Sequence, residues 1–419
     1  MISRNACYWI WITLSIGYNN PKVKRISEMY SDVSAFYYGG ISEWRLCGIF
    51  SQKDIERFSS TGLDDAKKIV DRCIECNYSI LCIDDELFPK CLYNIECPPA
   101  LIYVNGVMPD IDNTFSIGIV GTRRATKYGI ENSYRFAYAL SKYGTIIVSG
   151  GALGVDGASH RGALATDGIT ICVRGCGLNC SYLRENSDIR STIPKRGAVI
   201  TEYPPDETPR NYYFPARNRI IAALSDGLLV MEAGKKSGSL ITANLAAEQG
   251  KTIFALLGNN SPQNEGSNAL IKEGLAIPVT DFMDILCEFD SLYATSDDEF
   301  DIDNISLADT GNFPVKGIRK QAPARIYVNK QNDQPPAKTA VPYVSEKSET
   351  IVQKPVHKEN LNLPKTAQDV YEYIGNEPVH IDKISADLKI PVFKVLTALT
   401  MLEMKDLVSA LQGRNYILK

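Results

Sequence analysis

The chain has 419 residues, of which 44% are hydrophobic and 22% are charged, and its formal net charge at pH 7 is −4. This composition is typical of an ordinary soluble globular protein, and the length predicts two or three domains. The negative net charge excludes a wholesale binder of polyanions, so any nucleic-acid surface must be local.

Residues 1–82 predict a small helical domain. The apolar run ACYWIWITLSIG at 6–17 is too short to span a bilayer and has no cleavage site for export. We therefore expect it to form the first helix of this domain, followed by helices at SQKDIERFSS and DDAKKIVDRCIECN. Because no other segment approaches membrane length, we expect a cytoplasmic protein without a membrane partner.

Eleven cysteines in such a chain indicate reduced thiols and not a disulfide framework. Cys73 and Cys76 have C-x-x-C spacing, and Cys172, Cys176 and Cys180 cluster further along the chain. Neither group has a second pair of cysteines or a nearby set of histidines. We therefore expect buried apolar cysteines and no metal site.

Residues 83–289 predict an α/β domain. After a lead-in segment at 84–104, short apolar strands alternate with helical or mixed segments, and final helices are expected at 267–274 and 281–289. The strands are SIGIVG, TIIVSG, ITICVRG, AVITEY, GLLVMEA, TIFALLG and AIPVT. Repeated β-α units predict a doubly wound, mostly parallel sheet. From 115 to 285, 18 Lys or Arg stand against 15 Asp or Glu, so this region carries a net charge of +3.

Three strand-to-helix turns in this region are rich in glycine, hydroxyl and basic residues: GTRR at 121–124, SGGALG at 149–154 and GKKSGS at 234–239. Open α/β sheets bind ligands at the carboxyl ends of their strands, and the free N–H groups of a helix start favour an anion. We therefore predict a phosphate-binding cleft. Its predicted residues are Gly121, Thr122, Arg123, Arg124, Ser149, Gly150, Gly151, Gly154, Lys236, Ser237, Gly238 and Ser239.

The segment RNYYFPARNR at 210–219 adds arginines and aromatic rings to this prediction. Guanidinium groups hold phosphates in a bidentate manner, and aromatic rings stack on bases of any sequence. The predicted DNA-binding residues of this segment are Arg210, Phe214, Arg217, Asn218 and Arg219. Three alternatives stay open. An arginine could brace the sheet through an internal ion pair, with Arg219 as the main case, Phe214 could be a core residue, and Ser237 or Ser239 could be an N-cap.

The motifs GTRRATKYG, SGGALGVDGASHRGAL, GCGLNCSYLREN, TEYPP, FPARNRIIAALSDGLLVMEA and SGSLITANLAAEQG follow one another in this order. Over residues 85–285 the chain resembles the DNA-processing protein A family, also called DprA or Smf. The resemblance implies an extended Rossmann-like domain that binds single-stranded DNA and helps to load a RecA-type recombinase during natural transformation. It also implies a homodimer, whose expected contacts are Leu270 and Ile271 in SNALIKEG, with the alternative that both residues pack on the sheet. We expect no cofactor.

An enzyme is the alternative from another functional class. Asp156 and His160 lie four residues apart on one predicted helix, and Glu232 ends a strand, so acid and base groups are near the cleft. The competing interpretation is a nucleotide-processing enzyme resembling the phosphoribohydrolases. Those enzymes carry a PGGxGT loop where this chain has EAGKKSGSL. We therefore expect binding without catalysis.

The end of the chain predicts a linker and a second small domain. Residues 290–365 combine an acidic patch with a tract rich in Pro, Gln and Lys, which predicts a disordered linker. Residues 366–419 show three helical segments and then a hairpin of LVSAL and NYILK, which is a winged-helix pattern. A DNA-binding regulator would act through this domain, but it has 6 Lys or Arg and 7 Asp or Glu. We therefore expect an accessory role.

Overall fold

The structure is a computed structural model that describes residues 1–289 and 365–418, the latter with gaps at 376–377, 391–393, 397, 400–401, 403–404, 406 and 412–414. The chain divides into two units, 1–331 and 332–419. The linker predicted at 290–365 lies, except for its last residue, outside the described residues. Within the described ranges, every helix is too short or too polar to cross a membrane.

The first apolar run forms a buried helix, as predicted. Trp9 and Trp11 are fully buried, and the Trp11 ring lies 5.1 Å from the ring of Phe58. The Trp11 indole donates a hydrogen bond of 2.9 Å to the carbonyl of Thr61, so this buried donor is satisfied, whereas the buried Nε1 of Trp9 has no hydrogen-bond partner among the described residues. The helices of this region are α1 (Ala6–Ile16), α2 (Lys22–Met29), α3 (Val33–Leu46), α4 (Gln52–Ser60) and α5 (Leu63–Glu75).

A mostly parallel sheet follows, and within 1–289 it has nine strands. They are β1 (Ser79–Cys82), β2 (Leu101–Gly106), β3 (Ser116–Val120), β4 (Ile146–Ser149), β5 (Thr170–Val173), β6 (Ala198–Thr201), β7 (Gly227–Val230), β8 (Thr252–Leu256) and β9 (Ile277–Val279). Their order is β1-β2-β6-β5-β4-β3-β7-β8-β9. The seven predicted strands are confirmed.

Strands β1 and β2 were missed because they pair antiparallel, β1 with β2 and β2 with β6. Antiparallel neighbours need no helical crossover, so the β-α period of the sequence gives no signal for them. β1 also lies before the predicted domain boundary at 82, yet it belongs to the sheet. Ile2 forms a bridge to Ile80 in β1, and both α1 and the sheet contribute to one hydrophobic core.

The strand order reverses next to β3, which has β4 on one side and β7 on the other, both parallel to it. The loops leaving β3 and β7 therefore diverge, and such a switch point opens a crevice at the carboxyl ends of the strands. Core residues cover both faces of the sheet, which accounts for the continuous apolar strands. The helices are α6 (Lys90–Tyr93), α7 (Lys127–Lys142), α8 (Val155–Ala165), α9 (Ser187–Thr192), α10 (Tyr213–Ala223), α11 (Gly238–Glu248), α12 (Glu265–Lys272) and α13 (Met283–Glu288).

Three tyrosines connect the N-terminal helices to the start of α10 and to the segment before it. The ring of Tyr203 stacks on that of Tyr213 with centroids 3.9 Å apart, and Tyr18 packs edge-on against Tyr203 at 4.9 Å. The Tyr203 hydroxyl donates to the carbonyl of Tyr213 at 3.4 Å. The start of α10 is therefore fixed from the N-terminal side of the molecule.

The second unit has the elements of the predicted winged helix. Its helices and strands are α14 (Lys365–Tyr373), β10 (Val379–His380), α15 (Ile381–Leu388), β11 (Val408–Leu411) and β12 (Asn415–Leu418). The predicted hairpin is present, because β11 and β12 pair antiparallel, and β10 joins the other edge of β12. The third predicted helix, at 392–404, includes residues outside the described part.

Candidate nucleic-acid interface

A cleft of about 540 Å³ opens at the switch point, a volume suited to a small ligand such as a nucleotide. Its walls come from the loops after β3, β4, β5 and β7 and from α10. It unites the predicted residues Gly121, Thr122, Arg123, Arg124, Phe214, Arg217, Asn218, Ser237, Gly238 and Ser239. Gly150 and Gly151 line a second space, the small pocket, which shares Arg123, Phe214 and Arg217 with the cleft.

The loops after β3 and β4 touch each other at Gly154. This residue has φ of +76°, and an added Cβ would lie 2.4 Å from the carbonyl oxygen of Thr122. Glycine tolerates both the positive φ and the close approach. The next amide, that of Val155, donates to the same Thr122 oxygen at 3.4 Å. Gly154 therefore allows the two loops to form one continuous wall.

Glu232, at the end of β7, holds the loop that carries Arg123. Its carboxylate accepts hydrogen bonds from the Thr126 amide at 2.8 Å and from the Thr126 hydroxyl at 2.6 Å. Its carbonyl accepts from the Thr122 amide at 2.7 Å. Glu232 is 1% exposed and does not line the cleft. Its acidic group thus positions a loop.

Arg123, Phe214 and Tyr182 form one wall of the cleft. The Arg123 guanidinium lies 5.5 Å from the centroid of the half-buried Phe214 ring, a cation–π contact. Tyr182 packs against the same ring at 5.4 Å, and its hydroxyl lies 3.5 Å from Arg123 Nη1. A half-buried aromatic ring and a cation thus lie together in this wall, and these are the two kinds of group that base stacking and phosphate contact use. Sequence reasoning missed Tyr182, although the aromatic residue in GCGLNCSYLREN was a usable signal.

Arg217 contributes a buried cation to the floor of the cleft. Its Nη1 donates to the carbonyl of Gly150 at 2.8 Å and to that of Val173, while its Nε has no hydrogen-bond partner among the described residues. Burial lowers the pKa of Arg217, and the nearby Asp156 opposes this shift. Burial likewise raises the pKa of Asp156, opposed by Arg217. Asp156 is the one carboxylate among the described residues that line the cleft.

The start of α11 forms the opposite wall. Ser237 is its N-cap, accepting a hydrogen bond from the Ser239 amide at 3.4 Å, and the two hydroxyls lie 2.8 Å apart. The N-cap alternative is therefore confirmed for Ser237. It is compatible with ligand binding because both serines also line the cleft, and the first amides of a helix attract anions.

Besides Gly150, Gly151 and Gly154, four further predicted residues do not line the cleft. Ser149 is fully buried and donates to the carbonyl of Ile119 at 2.6 Å. Arg219 is 5% exposed and ion-paired, which confirms the bracing alternative for this residue. Arg210 is exposed and pairs with Glu207 at 3.1 Å. Lys236 is exposed beside the start of α11 and does not line the cleft.

Of the acid and base groups considered for catalysis, Asp156 lines the cleft, while Glu232 and His160 are engaged elsewhere. His160 is fully buried, and its Nδ1 lies 2.8 Å from the Thr170 hydroxyl, which itself donates to the carbonyl of Ile147. Nδ1 must therefore carry the proton and donate it to Thr170. Burial lowers the pKa of His160 to about 3. The hydrogen-bond partner of His160 is thus Thr170 and not Asp156.

The two residues predicted for a dimer lie on α12. Leu270 is 7% exposed and belongs to the core of its own chain, while Ile271 is half-buried against that core. Two exposed apolar residues follow, Leu275 at 51% and Ile277 at 37%, the latter in the edge strand β9. The apolar surface near α12 therefore centres on residues after Leu270.

Comparison with known proteins places the fold and the cleft in a family. Residues 79–290 match the family model of DNA recombination-mediator protein A, and residues 356–414 match the DprA winged helix domain. The chain is 32% identical over 346 residues to Protein Smf of Synechocystis sp., covering 81% of this chain and 80% of that protein. Over 212 residues it is 39% identical to Protein Smf of Escherichia coli, covering 50% of this chain and 56% of that protein.

A solved structure agrees with this assignment. The X-ray structure of DNA processing protein A from Streptococcus pneumoniae has 31% sequence identity and a TM-score of 0.59, and the similarity covers 66% of this chain and 95% of that chain. The family match spans the whole parallel sheet and every wall of the cleft. This chain therefore belongs to the DNA recombination-mediator protein A family, DprA/Smf, and ends in that family's winged helix domain.

Proposed function

We propose that this protein binds single-stranded DNA in the cleft and, without catalysing a reaction, delivers the strand for recombination. The observation that carries the proposal is the wall in which the Arg123 guanidinium lies on the Phe214 ring, 5.5 Å from its centroid. A cation for phosphate and a ring for a base stand side by side there. This pairing is the general arrangement for binding single strands without regard to sequence.

The proposed preference for single-stranded over double-stranded DNA follows from the Phe214 ring. Phe214 can stack only on a base that is free of its own neighbours, and the bases of a duplex are stacked on each other. The cleft is also sized for nucleotides and not for a double helix. Three arginines against one carboxylate, Asp156, give the walls the positive charge that phosphate attraction needs.

The proposal includes two protein partners, a recombinase and a second copy of this chain. The family description, a recombination mediator, supports a RecA-type recombinase as the recipient of the strand, with natural transformation as the process and the cytoplasm as the compartment. A homodimer through the surface near Ile271 would place two clefts on one strand. Two linked weak sites raise affinity without any new contact.

Binding isotherms for the full chain test the proposal. Fluorescence anisotropy with single-stranded and double-stranded DNA of the same sequence, repeated at several salt concentrations, should show tighter binding of the single strand. Single strands of different sequence should bind alike, and affinity should fall as salt rises. Equal affinity for single strand and duplex would contradict the proposed function. A chain ending at residue 289 should retain the preference, because the third predicted helix of the winged-helix domain, at 392–404, has Lys394 as its one basic residue.

A further inference from the structure

The small pocket beside the cleft is lined by four arginines. They are Arg123, Arg174, Arg190 and Arg217, which surround a volume of about 20 Å³ at the carboxyl end of β5. The backbone at Gly150, Gly151 and Ala152 forms another part of the lining. A space of this size holds one or two water molecules, so it can receive the oxygens of one phosphate group and excludes a nucleoside.

Among the described residues, the four arginines of the small pocket have one acidic neighbour, Asp156, which lines the adjacent cleft and opposes the pKa shift of Arg217. The described lining of the small pocket itself contains no carboxylate, and the ion pairs of nearby arginines belong to others, such as Arg161 with Asp188. Arg174 and Arg217 are each 5% exposed. Burial lowers the pKa of Arg190, and the charge of Arg174 lowers it further. Four cations against one nearby carboxylate leave an excess of positive charge, which is costly to bury, so the small pocket favours an anion.

The arginines are held in place by bonds that leave most of their donors free. Arg174 donates to the carbonyls of Leu178 and Cys180, both at 2.7 Å, and Arg190 donates to that of Leu183 at 2.7 Å. These bonds order the loop after β5. Each guanidinium has five N–H donors, so several remain for an oxyanion, and the Nε of Arg217 has no protein partner among the described residues.

We infer that the small pocket binds the terminal phosphate of a DNA strand whose nucleotides occupy the cleft, an inference that rests on the proposed function. A terminal phosphate carries close to two negative charges at neutral pH, against one for a phosphate within the chain. A terminal phosphate is also attached to one nucleotide only. A phosphate within the chain is attached to two, so the strand would have to leave the small pocket in two directions. Phe214 and Tyr182 belong to both linings, so a strand passes directly from one space to the other.

The test compares short thymidylate oligonucleotides that differ only at their ends. The oligonucleotides carry a 5′-phosphate, a 3′-phosphate or hydroxyls at both ends, with the fluorescent label on an internal base. We expect one of the phosphorylated strands to bind the full chain about tenfold more tightly than the hydroxyl strand, the effect of one or two charge-assisted hydrogen bonds. Inorganic phosphate should reduce this difference by competing for the small pocket.

Matched variants assign the effect to the small pocket. Arg190→Gln, and independently Arg174→Gln, should bind phosphorylated and hydroxyl strands alike, while Arg190→Lys should keep part of the difference. Arg161→Gln is the control, because Arg161 lies outside the small pocket and pairs with Asp188; it should discriminate like the wild type. Thermal unfolding identifies a variant that no longer folds. If both glutamine variants fail to fold, the comparison of the three oligonucleotides on the wild type decides.

Three results would overturn the inference. Equal affinity of the wild type for all three oligonucleotides would exclude the terminal phosphate as the ligand of the small pocket and would leave the proposed function intact. Circular single strands that compete as well as phosphorylated linear strands would assign the small pocket to an internal phosphate. Failure of every single strand to bind would reject the proposed function together with the inference.

Discussion

Arg219 and Glu202 form a buried bidentate ion pair. Arg219 Nη1 lies 2.7 Å from Glu202 Oε1, and Arg219 Nη2 lies 2.7 Å from Glu202 Oε2. Arg219 also donates from Nε to the carbonyl of Cys97 at 2.8 Å. The pair connects α10 to the end of β6 and to the segment before β2, so it stabilises the helix that carries Phe214.

Removing one partner of this pair should strongly destabilise the fold. Arg219→Ala leaves the Glu202 carboxylate buried without its cation, and we expect a loss of about 3–5 kcal/mol in the free energy of unfolding, measured by urea denaturation. Lys68→Ala removes an exposed ion pair with Asp65 and should change stability little. A small effect of Arg219→Ala would mean that the pair does not brace α10 against the sheet.

Arg123→Ala should weaken the binding of every single-stranded sequence alike, because an arginine that binds phosphate carries no base information. The slope of log affinity against log salt should become shallower by about 0.7 for each phosphate of a single strand that the protein no longer neutralises. Anisotropy titrations at several salt concentrations measure both effects. Arg57→Ala, an exposed arginine on α4, is the control. Unchanged affinity in folded Arg123→Ala would exclude Arg123 from the interface.

Phe214→Ala should remove the stacking surface and cost about 1–3 kcal/mol of binding free energy for each base that it stacks. Phe214→Tyr keeps the ring and should bind nearly as the wild type does. Calorimetric titration with a thymidylate oligonucleotide gives the free energies. If Phe214 is mainly a core residue, Phe214→Ala should instead lower the melting temperature and leave the affinity unchanged.

His160 should make the protein sensitive to mild acid. Burial lowers its pKa to about 3 in the folded chain, whereas an unfolded histidine titrates near about 6.5. Between these two pKa values the unfolded state therefore binds a proton that the folded state does not. The contribution of the neutral His160 to the free energy of unfolding is lost as the pH falls. For this one group the loss between pH 7 and pH 5 is about 2 kcal/mol.

Urea denaturation at the two pH values measures this loss. His160→Gln does not titrate and offers an amide donor for the Thr170 hydroxyl, so its own loss between pH 7 and pH 5 should be smaller by that amount. Equal losses in the wild type and the variant would show that His160 does not stay neutral in the folded chain.

Ile271→Arg should give a folded monomer with weaker and less cooperative DNA binding, because a charge at the centre of an interface costs far more than one at its rim. Light scattering reports the mass. Ile74→Arg, at a site on α5 that is 60% exposed, is the control and should stay dimeric. A dimeric Ile271→Arg would place the interface elsewhere, and an unfolded one would show that Ile271 is needed by the core.

The sequence predicted the parallel sheet and most of the cleft because both depend on local patterns. A buried parallel strand is a continuous apolar run, and a phosphate-binding turn needs glycine and a cation next to it, so Gly121 and Arg123 are visible from their neighbours alone. Ser149 and Arg219 could not be judged in this way. Their side chains bond to Ile119 and Glu202, which are distant in the chain, and only the folded structure reveals whether such a polar group meets a partner or the solvent.

The tyrosine stack of Tyr18, Tyr203 and Tyr213 has a consequence for the N-terminal helices. Because Tyr213 immediately precedes Phe214, the ring proposed to stack on bases is fixed by the same contacts that attach these helices to the sheet. One hydrophobic core runs through both parts, so they should melt in a single transition. The N-terminal helices therefore support the cleft from outside. A chain that begins at β1 would keep the residues of the cleft but would lose the contacts that orient its aromatic wall.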